Sequence, residues 1–138
     1  MPYDPVLVAP MRKELTNIGI TELTTAEAVD TFMSETNGSA LIIINSVCGC
    51  AAGSARPAVA IALKNEKTPD RVATVFAGQD LEATAKARGY FSQIPPSSPS
   101  FALFKDGELV FMYPRHFIEG RTPQIIGADL VEAFEEYL

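Results

Sequence analysis

The spacing of apolar positions changes several times along the chain, and each change predicts an element. Met11, Leu15 and Ile18 recur at i, i+4 and i+7, which predicts an amphipathic helix ending at Gly19, a residue suited to the turn after a helix. Thr24 and Glu27 have capping-box spacing and open a second predicted helix over 26–35, stopped by Asn37-Gly38. The run "ALIII" at 40–44 is continuous and rich in β-branched residues, as in a strand covered on both faces. After it, "AAGSARPAVAIALKN" at 51–65 reads as a helix. Pro57 either lies in its first turn or kinks a helix that begins near Cys50.

The second half alternates in the same way. "RVATVF" at 71–76 is a further buried strand, and Asp80 caps a helix running to Arg88 and stopped by Gly89. "PPSSPS" at 95–100 is a loop, and "FALFKDGELVFMY" is a β-hairpin turning at Asp106-Gly107. Thr122 as N-cap and Pro123 behind it open a last helix to Tyr137. The order α-α-β-α-β-α-β-β-α implies an α/β fold with right-handed crossovers. Its central mixed sheet has about four strands flanked by helices, with an extra helix at the N-terminus. Sites in such sheets lie beyond the carboxyl ends of the strands.

Composition narrows the classes of function. The 138 residues suit a single domain over 1–138, with 47% hydrophobic and 20% charged residues. The net charge is -6 and no run of Lys and Arg opposes it, so nucleic acid and anionic membrane are poor partners. Asp4 precedes any apolar stretch, which argues against a signal peptide, and no segment approaches the roughly 18 apolar residues of a membrane span. A cytoplasmic location is expected, where thiols are kept reduced.

That expectation gives weight to "SVCGC" at 46–50, which holds both cysteines of the chain one residue apart. In an extended strand two such Cα atoms lie about 6.5 Å apart, near the limit for a disulfide. A turn at Gly49 eases closure because glycine takes dihedrals that other residues resist. The small ring is still a poor staple and a plausible exchange centre. A helix starting after Gly49 would put Cys48 at its positive end, which favours the thiolate, and Arg56 adds positive charge nearby. Cys48 is therefore assigned as attacking thiol and Cys50 as resolving thiol. Two cysteines and one histidine, His116, are too few for a four-ligand zinc site, so no metal is expected.

Four segments in order, "NSVCGCAAGSARPA", "ATVFAGQDLEATAKAR", "PPSSPSFALFKDGELV" and "PRHFIEGR", resemble the bacilliredoxins. The likeness begins near "MRKELTNIGITELTT" and covers nearly the whole chain. It implies a thioredoxin-like fold and thiol–disulfide exchange through the Cys-Gly-Cys centre, with no bound cofactor. It further implies removal of bacillithiol, or a similar low-molecular-weight thiol, from S-thiolated client proteins, with weak isomerase or reductase activity. The thioredoxin-like pattern also implies a cis proline beside the active cysteine, and Ser98-Pro99 matches that position as a substrate-binding pair. The centre departs from the thioredoxin CxxC, and the chain has no Trp, which favours work through mixed disulfides.

"PRHFIEGR" collects Arg115, His116 and Arg121. Either the arginines receive carboxylates such as the malate part of bacillithiol, or they form solvated ion pairs with Glu119 and Asp129. The rival to an enzyme is a non-catalytic redox sensor or interaction module, switched by the same pair of thiols.

Overall fold

The apolar run at 40–44 becomes the centre of the structure, a computed structural model that describes residues 2–138. Five strands form one sheet: β1 (Thr21–Glu22), β2 (Ser39–Asn45), β3 (Arg71–Phe76), β4 (Ser100–Lys105) and β5 (Glu108–Tyr113). Their spatial order is β1-β3-β2-β4-β5. β1 and β2 run parallel to β3, β4 is antiparallel to β2, and β5 is antiparallel to β4. The mixed sheet is therefore as expected, with one strand more than the approximate four. The extra strand, β1, has two residues, too short to show any alternation in sequence.

Helices cover both faces: α1 (Pro5–Thr16), α2 (Ala26–Ser34), α3 (Arg56–Ala62), α4 (Leu81–Gly89), α5 (Arg115–Ile118) and α6 (Pro123–Tyr137). Successive β2 side chains point to opposite faces, so Leu41 and Ile43 meet α3 and α6 through Val59, Ile126 and Leu130. Ala40, Ile42 and Ile44 meet α2 and α4 through Val29, Met33, Ala83 and Ala87. Leu41, Ile42, Ile43 and Ile44 are each at most 1% exposed. Each contributes about 1.5–3 kcal/mol by burial, so the strand that leads into the thiols is firmly anchored.

Several ends differ from the sequence reading. α1 starts six residues before Met11, with Asp4 accepting the Val6 N–H at 2.9 Å and Pro5 in its first turn. It stops at Thr16, leaving Ile18 in the following turn. Thr25, not Thr24, caps α2, its hydroxyl accepting the Ala28 N–H at 3.0 Å. Asp80 precedes α4 but makes no side-chain cap, and α4 runs through Gly89. Arg12 of α1 claims that carboxylate with two hydrogen bonds of 2.8 and 2.9 Å, and a bidentate charged pair outweighs a single cap. α5 had no sequence signal, since four residues show no period. The Asp106-Gly107 turn and the Thr122-Pro123 helix start stand as read. Asp106 and Gly107 have φ of 51° and 85°, as a primed hairpin turn needs, and Thr122 accepts the Ile125 N–H at 3.2 Å. No helix among the described residues is long and apolar enough to cross a membrane.

α3 and α6 approach closely at Gly127. A Cβ there would lie 2.9 Å from Ile61 Cγ2 and 3.2 Å from Ile61 Cβ, and the latter cannot swing away without its backbone. Gly127→Ala is therefore expected to lower stability by about 1–3 kcal/mol in urea unfolding, although alanine is the better helix former. An unchanged or raised midpoint would mean that the two helices have slack.

Candidate active site

The thiols follow directly from the end of β2. Asn45, 1% exposed, points its side chain inward, where Oδ1 accepts the Ser46 N–H at 2.8 Å and Arg56 Nη1 at 2.9 Å. The Ser46 hydroxyl accepts the Cys48 N–H at 3.0 Å, which bends the chain out of the sheet. The helical turn then begins at Gly49, and the Cys48 carbonyl accepts the N–H groups of Ala51 and Ala52 at 3.0 and 3.3 Å. Cys48 therefore stands where a helix N-cap stands. Its sulfur accepts the Cys50 N–H at 3.4 Å, as a capping Ser or Asp oxygen would.

The helix that starts here contains a π-helical turn, Ala51–Ala55, before α3. The Arg56 N–H bonds to Ala51 O, five residues back. Pro57 has no N–H and its ring would strike the carbonyl four residues earlier in a regular helix, so the wider turn accommodates it. Each alternative for Pro57 is thus right in part: the helix begins near Cys50, and Pro57 lies in the first turn of its regular segment, α3.

The two thiols are free, partly exposed and 2.6 Å apart at sulfur, in hydrogen-bond contact. They are not equivalent. The hydrogen bond from Cys50 lowers the Cys48 pKa below the ordinary thiol value, against the effect of desolvation, with the Cys50 N–H and the charge of Arg115 adding to it. Desolvation raises the Cys50 pKa, and the Cys48 sulfur raises it further. The two shifts run in opposite directions, so Cys48 gives up its proton more readily than Cys50.

Gly49 does not have the special dihedrals expected of it. Its φ is not positive, and a Cβ would meet nothing within 4 Å. Its value is openness, for it leaves the outer side of the sulfur pair bare.

Register brings the other pieces to the same end of the sheet. Ile44 pairs with Ser100, so the segment after β2 and the Ser98-Pro99 segment before β4 lie at the same end of the sheet. The Ser98-Pro99 peptide is cis, and Pro99 is buried. Phe101 pairs with Tyr113, which sets Arg115 beside Pro99 in turn. Arg115 ties down this loop: its N–H donates to Ser97 Oγ and its Nη1 to Ser98 O, both at 3.2 Å. The charge on Cys48, and then that on Cys50, raises the Arg115 pKa.

The cation whose charge bears on the thiols is Arg115, held on the cis loop, and not Arg56. Arg56 is 3% exposed and turned beneath the loop, donating to Asn45 Oδ1 and to Ser46 O at 2.8 Å, with Nε 3.2 Å from Glu14 Oε2. The cluster Arg115, His116 and Arg121 is also divided. Arg115 pairs with Glu119 at 3.0 Å and Arg121 with Asp129 at 3.3 Å, as solvated pairs would. Arg121 and Tyr113 line a separate cavity of about 240 Å³ between β5 and α6. His116 is exposed and stacks edge-on against Phe117. The brace of Asn45 and Ser46 was missed, although two polar residues closing an apolar strand could have signalled it.

A βαβ half and a hairpin half, with thiols at the start of the helix after the central strand, define a thioredoxin-fold thiol–disulfide oxidoreductase. Fasciola hepatica thioredoxin superposes with a TM-score of 0.60 at 19% identity, covering 86% of this chain and 100% of that one. Mitochondrial thioredoxin 3 of Saccharomyces cerevisiae gives 0.57 at 17% identity, covering 89% and 98%. Sequence relatives are much nearer. A bacilliredoxin of Salinibacter ruber is 57% identical over 139 residues, 99% of this chain and 82% of that protein. One of Bacillus cereus is 56% identical over 135 residues, 97% and 94% of the two chains, and one of Cytophaga hutchinsonii is 54% identical over 134, 97% and 98%. The family described as disulphide isomerase matches residues 3–138. The chain belongs to this disulphide isomerase family and, within it, to the bacilliredoxins.

Two outcomes follow from the geometry. The rate of Cys48 alkylation by iodoacetamide should fall as pH drops through a midpoint below the roughly 8.5 of a free thiol, because only the thiolate reacts. Cys50→Ala should raise that midpoint more than Arg115→Gln, since the Cys50 hydrogen bond is the larger cause; the reverse order would refute this account. Gly49→Ala should leave urea stability within about 1 kcal/mol of wild type or raise it, whereas a larger loss would reveal a strained glycine.

Proposed function

We propose that the protein removes a low-molecular-weight thiol, bacillithiol, from S-thiolated client proteins in the reducing cytoplasm. The Cys48 thiolate attacks the thiol-bearing sulfur of the mixed disulfide. A bond forms between Cys48 Sγ and that sulfur, the old sulfur–sulfur bond breaks, and the client leaves as a thiolate that takes up a proton. Cys50 then loses its proton and attacks Cys48 Sγ, closing the Cys48–Cys50 disulfide and releasing the small thiol. A second molecule of that thiol can instead attack its own sulfur in the adduct and leave as the symmetric disulfide. Thiols supply all the electrons, so the cycle needs no cofactor, and an external thiol reductant reopens the pair.

The observation that carries this reading is the unlike pair of sulfurs: Cys48 caps a helix and has its pKa lowered, while that of Cys50 is raised. Arrangement and name support the rest. The cis Ser98-Pro99 loop leaves Pro99 without an N–H donor beside the sulfurs, where an extended client backbone would lie against Ser98. The relatives' name, bacilliredoxin, points to bacillithiol as the thiol removed. The family description favours a second reading on the same residues, isomerisation of client disulfides by Cys48 attack and Cys50 escape.

Mass spectrometry after incubation with oxidised bacillithiol tests the assignment. Cys50→Ser should hold one adduct on Cys48, Cys48→Ser should hold none, and wild type should lose its adduct on adding reduced thiol. An adduct on Cys50 would reverse the roles. Closure of the internal disulfide with no adduct in any variant would favour the isomerase.

A further inference from the structure

We propose that Arg115 is the specificity-determining residue of the site, receiving a carboxylate carried by the low-molecular-weight thiol as it becomes bonded to Cys48. The inference rests on the exchange reaction above. Its basis is the position of one guanidinium between three anionic or electron-rich partners. Nη1 holds the Ser98 carbonyl at 3.2 Å and Nε holds the Glu119 carboxylate at 3.0 Å. Strand register sets the residue at the thiol end of the sheet, where the charge of the sulfurs raises its pKa. Glu119 already shows that a carboxylate can bond to this guanidinium, through Nε. It is an exposed partner at i+4, with 56% of its side chain in solvent, and such pairs are weak enough to exchange for another carboxylate.

The reaction itself makes the exchange favourable. Attack turns the Cys48 thiolate into a neutral disulfide sulfur, so the guanidinium loses an anionic neighbour at the moment the bond forms. A small thiol that brings a carboxylate restores that neighbour. A neutral thiol does not, and its attack forfeits part of the attraction that had stabilised the thiolate. The geometry therefore sorts small disulfides by charge at the step of adduct formation. His116 and Arg121 take no part, since one stacks on Phe117 and the other is engaged by Tyr113 and Asp129. Lys105, the nearest basic residue of β4, lies at the opposite end of the strand from Ser100.

The test measures adduct formation on Cys48 in the Cys50→Ser protein, above the alkylation midpoint so that thiolate content is equal. Three symmetric disulfides serve as probes: anionic dithiodipropionate, neutral hydroxyethyl disulfide and cationic cystamine. Adding Arg115→Gln should lower the anionic-to-neutral rate ratio by about fivefold, the scale of one exposed ion pair, and raise the cationic-to-neutral ratio. Glu119→Gln, which frees the fork, should raise the anionic-to-neutral ratio. If Arg115→Gln changes all three rates by the same factor, the residue acts on the thiolate alone and the proposal is overturned. Unchanged rates with all three probes would leave Arg115 a solvated partner of Glu119 and overturn it equally. A Cys50→Ser protein that forms no adduct with any probe would instead sink the exchange reaction itself.

Discussion

The buried guanidinium of Arg56 is the constraint on which the site depends. Burying a charge costs several kcal/mol unless it is paired, and here a strand end and a carboxylate of α1 supply the partners. Nη1 reaches both Asn45 Oδ1 and Ser46 O, and Nε faces Glu14 of α1. One side chain from the helix after the thiols thereby fixes the end of the strand before them. Because Asn45 also accepts the Ser46 N–H, and Ser46 the Cys48 N–H, the brace extends through successive hydrogen bonds to the reactive residue. The loop is braced from beneath.

Upon this braced base the difference between two chemically identical thiols arises from position alone. Cys48 occupies the N-cap, where N–H groups lack helical partners and a sulfur can receive one. Cys50 lies two residues further on, within the first turn, where desolvation and the neighbouring sulfur raise its pKa. The spacing of one residue is what makes this possible. Both sulfurs reach the same exposed space, and Gly49 between them adds no side chain to obstruct it.

The remaining parts of the site arrive from far away in sequence. β4 returns antiparallel beside β2 and β5 beside β4, so the cis Ser98-Pro99 loop and Arg115 are stacked in order next to the thiol loop. Arg115 links all three, through Ser97, Ser98 and the charge on the sulfurs. The centre thus combines one local device, a capped helix, with one assembled from strand register.

Local physics explains what was legible in the chain. Buried strands, the Asp106-Gly107 turn, the Thr122-Pro123 helix start and the Cys-Gly-Cys centre each depend on residues a few positions apart, so the sequence by itself determined them. Where a side chain had to choose between a near and a distant partner, the choice was not local. Asp80 left its helix for Arg12, sixty-eight residues away, and Arg56 turned toward Asn45 and Glu14 instead of the thiols. Arg115 came to the sulfurs because two strand registers carried it there. Tertiary structure alone decided these, because the energy of a charged side chain depends on which partners the fold brings within a few ångströms, and the sequence pattern does not encode that distance.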